Sequence, residues 1–352
     1  MITLNKLRDA LIGGMILFLI SACSTAQTAS LKKHHRADGY VNNTPQESPG
    51  IADMLDFGWE SMTSDSKSLE YPIAQNDPIF LQNNITKPTI TWVGHTTFLI
   101  QLGGVNILTD PQFSERASPI SWVGPKRYTP PGLSLEELPV IDFVIISHNH
   151  YDHLDLATIQ TLQKKQSENP PLFFVPLGLK SWFKDIEIEN VKEMDWWDQD
   201  TFKGFTLHSV PIQHYSNRTP WDRNESLWTG WVIEYHQRSI LFVGDTGYSN
   251  DFKEIGKRFG PIDLSLLPIG AYEPRRFMKP IHVNPKEAVK IHQDVSSRYS
   301  IGMHWGTFSL TTEDMDEPPR YLKQALKKAN ISENEFFVMQ HGETKMLNFL
   351  LN

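Results

Sequence analysis

Short apolar runs separated by turn-forming residues recur along most of the chain, and this pattern predicts a protein rich in β-strands. The stretch at 97–110 carries Gly103-Gly104 between two apolar halves, which is typical of a β-hairpin. The predicted strand regions are 89–95, 97–110, 142–147, 172–176, 205–212, 229–245, 263–269, 299–305 and 335–350. Strand signals therefore extend from residue 89 almost to the end of the chain.

Helical periodicity lies between several of these strands, at 155–166, 284–295 and 317–329. The segment "IADMLDFGWESM", from residue 51, has the same spacing. Asn284 is a good N-cap and Pro285 a good first helical residue, so a helix is expected to begin there. Because strands outnumber helices and helices lie between them, the sequence predicts a layered α/β fold with the sheets inside.

The first 22 residues differ in character from the rest of the chain. Lys6 and Arg8 precede the apolar segment "ALIGGMILFLISA", which has the length of a signal peptide rather than of a membrane span. Cys23, the single cysteine, follows. The pattern resembles a bacterial lipoprotein signal peptide over 1–22. This implies a lipidated Cys23 as the new N-terminus and, with Ser24 after it, an outer-membrane lipoprotein that faces the periplasm. The alternative is an uncleaved N-terminal anchor.

The polar stretch over 23–50 is predicted to be a flexible linker, which leaves 51–352 as the folded domain. A hydrophobic content of 39% and a charged content of 21% suit a folded body. The formal net charge of −8 argues against nucleic acid as a partner. With one cysteine the chain has no internal disulfide. Separately, the sequence is compatible with a homodimer.

Ligand-type side chains crowd the end of one predicted strand. The segment "DFVIISHNHYDHLD" (142–155) places His148, His150, Asp152, His153 and Asp155 within eight positions. Burying so many ionisable groups is costly unless something offsets their repulsion and desolvation. A divalent metal ion does so, and imidazole together with carboxylate suits zinc or a related transition metal.

Three more apolar runs each finish at a candidate ligand, namely His214, Asp245 and His304. In a layered fold, strand ends converge at one rim, so these residues are expected to meet the 148–153 segment in space. The repeated order of strand and then ligand predicts a metal centre at that rim.

The order H-x-H-x-D-H, a distant His, an Asp after a strand and a final His resembles the metallo-β-lactamase superfamily. The resemblance implies an αββα four-layer sandwich that holds two zinc ions, or iron or manganese, in a cleft at its edge. It assigns His148, His150 and His214 to the first metal. It assigns Asp152, His153 and His304 to the second metal, with Asp245 as the bridge between the two.

A narrower resemblance is carried by "TWVGHTTFLIQLGGVNILTDP", "SHNHYDHLD", "GDTGYS", "PIGAYEPR" and "MHWGTF". These stretches are similar to the N-acyl-phosphatidylethanolamine-hydrolysing phospholipase D family over roughly residues 85 to 345. The resemblance implies a phospholipid substrate that is cleaved by a metal-bridging hydroxide to an N-acylethanolamine and phosphatidic acid. Asp152 would orient the water and accept its proton.

His282 lies just before the helix predicted from Asn284 and is the second catalytic candidate. It is expected to contact the phosphate or the leaving group, and the alternative is a structural loop histidine. Arg275, Arg276 and Lys279 precede it, and they either attract an anionic headgroup or form a solvated surface.

His95 and His341 also end predicted strands. They are expected to orient metal ligands or to be ordinary polar residues, and neither is expected to bind metal directly. Trp221, Trp228 and Trp231 either line an acyl groove or belong to the core.

Two other functions remain open on sequence grounds. One is a different metal-dependent hydrolase of the same superfamily, such as a lactonase or a β-lactamase. The other is a non-catalytic envelope lipoprotein that binds metal for structural reasons.

Overall fold

The computed structural model describes residues 32–45, 56 and 69–350. The predicted signal peptide at 1–22, Cys23 and nearly all of the helix predicted from residue 51 lie outside these residues. The chain forms two compact units, Met1–Ala37 and Asp38–Asn352. All elements described below, apart from the first short strand, belong to the second unit.

The strands, numbered in chain order, are β1 His35–Arg36, β2 Gly39–Tyr40, β3 Thr89–Gly94, β4 Thr97–Leu102, β5 Val105–Thr109, β6 Phe143–Ile145, β7 Leu172–Pro176, β8 Val191–Met194, β9 Gln199–Phe202, β10 Phe205–Val210, β11 Gly230–Tyr235, β12 Arg238–Phe242, β13 Leu264–Pro268, β14 Tyr299–Met303, β15 Phe336–Val338 and β16 Thr344–Met346. The α-helices are α1 Pro78–Asn83, α2 Leu156–Lys165, α3 Lys180–Asp185, α4 Asp251–Phe259, α5 Arg275–Met278, α6 Pro285–Asp294 and α7 Glu317–Ala329. A 3₁₀ turn covers Asn348–Leu350.

Two seven-stranded sheets form among the described residues, and they have the same internal plan. The first has the order β16-β3-β4-β5-β6-β7-β8, and the second has the order β15-β14-β13-β12-β11-β10-β9. In the first sheet, pairing is antiparallel from β16 to β5 and parallel from β5 to β8. In the second, it is antiparallel from β9 to β12 and parallel from β12 to β15.

Alternating side chains divide the core into layers. On β6, Phe143 and Ile145 join the large core that contains residues of both sheets, whereas Val144 joins an outer core with Ile159 of α2. Successive strand residues point to opposite faces, so both faces of this sheet are buried. Helices α4, α6 and α7 cover the second sheet, and Leu326 is one of their core residues. The αββα prediction is confirmed.

Helix boundaries follow the sequence signals closely. Asn284 accepts a hydrogen bond from Glu287 N at 2.9 Å, and the Glu287 side chain accepts one from Asn284 N at 3.1 Å, which completes a capping box at α6. The helices predicted at 155–166, 284–295 and 317–329 are α2, α6 and α7.

Strands β8 and β9 were not predicted, and both lie at the outer edges of the sheets. Their sequences, "VKEM" and "QDTF", contain no apolar run, and β9 alternates between exposed and half-buried positions. An edge strand has only one neighbour and commonly carries charged residues, so its sequence lacks the signal of a buried strand.

Part of the predicted linker contacts the folded body. Asn42 Nδ2 donates to His214 O at 2.8 Å, and Asn42 Oδ1 accepts from Trp228 Nε1 at 2.9 Å. Asn43 Nδ2 donates to Asp251 Oδ1 at 2.8 Å. Within the segment predicted as a flexible linker, Asn42 and Asn43 thus pair with groups of the domain. Over the described ranges, the helices are too short or too polar to form a membrane span.

Candidate metal centre

Strand ends from both sheets meet at one edge of the sandwich, and the predicted ligands lie there. One group follows β6 in the first sheet, and the others follow β10, β12 and β14 in the second. Five of the seven side chains are buried, while His150 and Asp152 are half-buried and face the accessible side. The structure brings together His148, His150, Asp152, His153, His214, Asp245 and His304.

Three imidazoles form the first cluster. His148 Nε2 lies 2.8 Å from His150 Nδ1, and His214 Nε2 lies 3.3 Å from the same His150 nitrogen. One ligand atom of each lies within 4.8 Å of the other two. Converging ring nitrogens of this kind form a donor set suited to a transition-metal ion.

Asp152 lies at the middle of the second cluster. Its Oδ2 lies 2.9 Å from His95 Nε2, 3.3 Å from His153 Nε2 and 3.4 Å from His304 Nε2. Asp152, His153 and His304 are the residues that the sequence assigns to the second metal. The cluster also includes His95, which that assignment leaves out.

Asp245 lies between the two clusters. Its Oδ2 is 3.1 Å from His153 Nε2 and 4.0 Å from His214 Nε2, while its Oδ1 is 3.0 Å from His304 Nε2. One carboxylate therefore reaches a histidine of each cluster. This is the position that a bridging ligand requires, and bridging itself stays a prediction.

Burial keeps several of these imidazoles neutral. Burial lowers the pKa of His214 to about 4 and the pKa of His95 to about 3. It also lowers the pKa of His148 and His150 well below the ordinary value of 6.5. Neutral imidazole is the form that binds a metal ion, so these histidines need not lose a proton first.

His153 and His304 behave in the opposite way because carboxylates surround them. Burial alone lowers the pKa of His304, but the charges of Asp245 and Asp152 outweigh it and raise that pKa to about 9. The same two aspartates and Asp110 raise the pKa of His153 well above its ordinary value. In return, the imidazolium charges keep the pKa of Asp152 and Asp245 well below the ordinary value despite their burial.

Buried polar atoms without hydrogen-bond partners test whether this site fits metal ions. Among the residues that the structure describes, Asp245 Oδ1 and both ring nitrogens of His304 have no hydrogen-bond partner, although Asp245 Oδ1 and His304 Nε2 are only 3.0 Å apart. Proteins rarely bury polar atoms unpaired, so these atoms indicate a missing partner that accepts lone pairs. A pair of divalent cations satisfies nitrogen and oxygen donors together. The residues therefore fit a metal centre, and zinc, iron and manganese all remain compatible.

Asp110 is a site residue that the sequence analysis did not identify. Its carboxylate accepts hydrogen bonds from Ser147 N at 2.7 Å and Ser147 Oγ at 2.5 Å. It also lies 2.7 Å from His153 Nδ1, so it holds the ring whose other nitrogen faces the centre. Asp110 directly follows the apolar strand β5, which is the same signal that identified Asp245.

His95 contacts a predicted ligand, whereas His341 does not. His95 N donates to Thr307 Oγ1 at 2.8 Å, and its ring reaches Asp152 on the other side. His341 Nε2 contacts the same Thr307 hydroxyl at 2.8 Å, and its ring centroid lies 4.2 Å from that of Trp92. His95 and His304 both have positive φ, 54° and 61°, a strained conformation that is common at functional sites.

His282 borders the centre from the second sheet. Its Nδ1 is buried, has no hydrogen-bond partner within the described part of the chain, and lies 3.9 Å from Asp245 Oδ2. Burial lowers the pKa of this histidine to about 3. Arg275 holds the segment from behind, because it donates to His282 O at 2.8 Å and to Glu287 Oε2 at 2.6 Å. Arg275 thus supports the His282 loop, and attraction of a headgroup by the neighbouring cations stays a prediction.

The tryptophans do not form one groove. Trp228 and Trp231 are fully buried, and Trp231 Nε1 donates to Ile146 O at 2.9 Å just before the ligand loop. For these two residues the core alternative is confirmed and the acyl-groove alternative is not, because both rings are part of the buried core between the sheets. Trp221, in contrast, is exposed.

Comparisons with known proteins agree with this architecture. Residues 105–305 match the Beta-lactamase superfamily domain. An N-acyl-phosphatidylethanolamine-hydrolyzing phospholipase D 1 of Caenorhabditis elegans is 44% identical over 266 residues, which covers 72% of this chain and 74% of the worm protein. The mitochondrial enzyme of the same name from Saccharomyces cerevisiae is 40% identical over 240 residues, which covers 66% of this chain and 50% of the yeast protein.

Solved structures share the fold at low sequence identity. Igni18, a metallo hydrolase from Ignicoccus hospitalis, has a TM-score of 0.56 at 20% identity, and the match covers 74% of this chain and 99% of that one. The isothiocyanate hydrolase from Delia radicum gut bacteria has a TM-score of 0.57 at 19% identity, and the match covers 73% and 98% of the two chains. These likenesses concern the fold alone.

Proposed function

Because the chain belongs to the beta-lactamase superfamily and, within it, to the N-acyl-phosphatidylethanolamine-hydrolysing phospholipase D family, we propose that it is a phosphodiesterase acting on N-acylated phospholipids. The products would be an N-acylethanolamine and phosphatidic acid. The observation that carries the proposal is the pair of joined histidine–aspartate clusters at the sheet edge, in a chain 44% identical to an enzyme of that name.

The donor set divides naturally into two metal sites. His148, His150 and His214 would hold one ion, Asp152, His153 and His304 would hold the other, and Asp245 would contact both. When bound, two divalent cations lower the pKa of water toward neutrality and neutralise charge on a phosphodiester.

The chain's own residues would orient the reacting groups. The Asp152 side chain is half-buried, and it would hold a water molecule and accept its proton. His95 fixes that carboxylate from behind through the 2.9 Å contact. His282 faces the centre from the second sheet with an unpaired Nδ1, from which it would contact a phosphoryl oxygen or the leaving oxygen.

The test is to purify the full chain, measure bound metal, and follow hydrolysis of N-acyl-phosphatidylethanolamine by mass spectrometry of both products. Asp245→Asn is expected to lower metal content and to reduce turnover at least about a hundredfold, because the neutral amide cannot serve two cations equally. The matched control is Asp200→Asn, which changes a half-buried aspartate of β9 that pairs with Lys192 of β8, outside the donor set. Full activity in Asp245→Asn would contradict the bridging role.

The same preparation distinguishes the two alternatives. Turnover of nitrocefin or a lactone, with no cleavage of the phospholipid, would favour another hydrolase of the superfamily. Bound metal with no turnover of any ester would favour a structural metal-binding lipoprotein.

The lipid anchor is a separate proposal that rests on the sequence of residues 1–24. We propose that Cys23 is lipidated and tethers the domain to the bacterial outer membrane, near its phospholipid substrate. Metabolic labelling with an alkyne fatty acid is expected to mark the chain and to fail in Cys23→Ser. Labelling that persists in this variant would exclude Cys23 as the attachment point.

A further inference from the structure

Two neighbouring loops of the second sheet support histidines at the candidate metal centre. The loop over 269–274 follows β13 and leads into α5, and the loop over 304–316 follows β14 and begins with His304. Because β13 and β14 are parallel, both loops leave the same edge of the sheet. A Cβ atom on Gly270 would collide with the backbone oxygen of His304, so the two loops approach each other closely at this glycine.

The half-buried carboxylate of Glu313 joins the two loops. Its Oε1 accepts a hydrogen bond from Tyr272 N at 3.1 Å, and its Oε2 accepts one from Glu273 N at 3.1 Å. Thr311 Oγ1 also donates to Oε2, at 2.6 Å. Burial raises the pKa of Glu313, and these hydrogen bonds oppose that shift. Each carboxylate oxygen of the 304–316 loop therefore holds a backbone amide of the 269–274 loop.

Further hydrogen bonds connect the 269–274 loop to His282. Glu273 Oε2 accepts a hydrogen bond from Arg275 N at 2.8 Å, and Arg275 Nη1 donates to His282 O at 2.8 Å. His282 N donates in turn to Met278 O at 2.7 Å, at the end of α5. The backbone that carries His282 is thus linked through Arg275 and Glu273 to the carboxylate of Glu313.

The His282 ring itself has little to hold it in place. Its centroid lies 5.5 Å from that of His304, and its Nδ1 lies 3.9 Å from Asp245 Oδ2. Over the described ranges this Nδ1 has no hydrogen-bond partner, although it is buried. The position of the ring beside the centre therefore depends on the backbone that carries it, and so on the contacts that hold the 269–274 loop.

We propose that Glu313 is a positioning residue for the reaction and acts through His282. Its carboxylate holds the 269–274 loop against the 304–316 loop, and this keeps the His282 ring where it would contact a phosphoryl oxygen or the leaving oxygen. Both carboxylate oxygens accept backbone N–H groups, so an amide side chain at this position would turn its NH₂ donor toward one of those donors. The inference rests on the proposed function, because that function gives His282 its role.

The first experiment measures the environment of the His282 ring by NMR and does not depend on turnover. The full chain is labelled with isotopes in histidine and loaded with zinc, and the ring signals are assigned by single histidine substitutions. Glu313→Gln is expected to shift the His282 signal and to leave the His148 signal in place, because His148 follows β6 of the other sheet. The matched control Glu333→Gln changes an exposed glutamate that pairs with Lys323, and it is expected to shift neither signal.

A milder variant tests the same contact if Glu313→Gln does not fold. Thr311→Val removes the hydroxyl that donates to the Glu313 carboxylate and leaves both backbone amides in contact with it. It is expected to shift the His282 signal in the same direction, but by less. Urea denaturation shows whether each variant is folded.

The second experiment is a double-mutant cycle on the hydrolysis of N-acyl-phosphatidylethanolamine in detergent micelles. Glu313→Gln is expected to lower kcat about tenfold with little change in KM, because a displaced His282 loses contacts made in the transition state. In the His282→Ala background, the same substitution is expected to lower kcat by less than about twofold, because no ring remains to be positioned. Glu333→Gln is expected to leave kcat unchanged in both backgrounds.

The outcomes separate this inference from the proposed function. An unchanged His282 signal in folded Glu313→Gln, or in Thr311→Val where that variant replaces it, overturns the positioning role. An equal loss of kcat with and without the His282 ring also overturns it, because Glu313 then acts by another route. A shifted His282 signal in a chain that does not hydrolyse the phospholipid supports the positioning role and counts against the proposed substrate.

Discussion

At the scale of single residues, the centre depends on groups that hold the ligands from behind. Asp110 contacts the outer nitrogen of His153, and His95 contacts the carboxylate of Asp152. Such supporting groups fix ring orientation and tune ligand basicity, so their loss weakens metal binding without removing a donor. Substitutions of Asp110 and His95 therefore test the site most specifically.

Asp110→Asn is expected to lower the affinity for the metal at the His153 site about 10- to 100-fold. The amide oxygen is a weaker acceptor than the carboxylate, and it no longer balances charge on the buried ring. Chelator competition followed by elemental analysis measures the effect. If Asp110→Asn binds metal with the affinity of the wild type, Ser147 alone orders the region around His153.

His95→Ala is expected to reduce turnover of the fully metallated enzyme, and His95→Gln to restore part of it, because glutamine can still donate to Asp152. Metal stoichiometry is measured in parallel. If both variants lose one equivalent of metal, His95 is a direct ligand rather than a positioning residue, and the second site has one more donor than we assigned to it.

At the scale of elements, helix α6 fixes the segment that carries His282. The capping box at Asn284 begins the helix two residues after this histidine, and Arg275 bonds to the carbonyl of His282 itself. A defined helix start therefore limits how far the His282 ring can move from the centre.

Asn284→Ala is expected to lower the free energy of unfolding by about 1 kcal/mol, because α6 loses its N-cap acceptor. The matched control Asn284→Asp keeps a capping oxygen and is expected to remain near wild type. Urea denaturation of each variant gives the comparison. Equal losses of unfolding free energy in both variants would indicate that the Asn284 amide group has a role other than capping.

At the scale of the whole molecule, the metal centre joins the two sheets. The ligand loop follows β6 of the first sheet, while His214, Asp245 and His304 follow strands of the second. A metal ion held by these residues would therefore link the two sheets, and a ligand that binds only the folded state stabilises that state.

The metal-free protein is expected to be most stable near pH 7 and to lose stability on both sides. Below this pH, histidines of the unfolded chain take up protons. In the folded chain, His214, with a pKa of about 4, stays neutral, and so do His95 and His282, each with a pKa of about 3. Stability therefore falls as the pH falls from about 6.5 toward 4. The folded protein instead holds an extra proton on His304, whose pKa is about 9, and that contribution disappears as the pH rises toward 9.

Urea denaturation of chelator-treated protein at pH 5, 6.5 and 9 measures this curve. A steady rise in stability up to pH 9 would show that His153 and His304 hold no extra protons in the folded state. Saturation with zinc is expected to raise the stability most at pH 9, where metal no longer competes with those protons.

The sequence by itself determined the layered fold and the candidate ligands. Both have local signals: buried strands appear as apolar runs, and each ligand directly follows such a run or the loop after it. Helices α2, α6 and α7 were predicted because periodicity and capping are also properties of neighbouring residues.

Only the tertiary structure decided which distant groups share an environment. Three features have no local signature: the contact of His95 with Asp152, the position of β9 at the edge of its sheet, and the burial of Trp228 and Trp231. Each depends on how the two sheets pack and on where loops that are far apart in the chain come together. Apolar periodicity predicts whether a side chain is buried or exposed, but the neighbours of that side chain are fixed by packing in three dimensions.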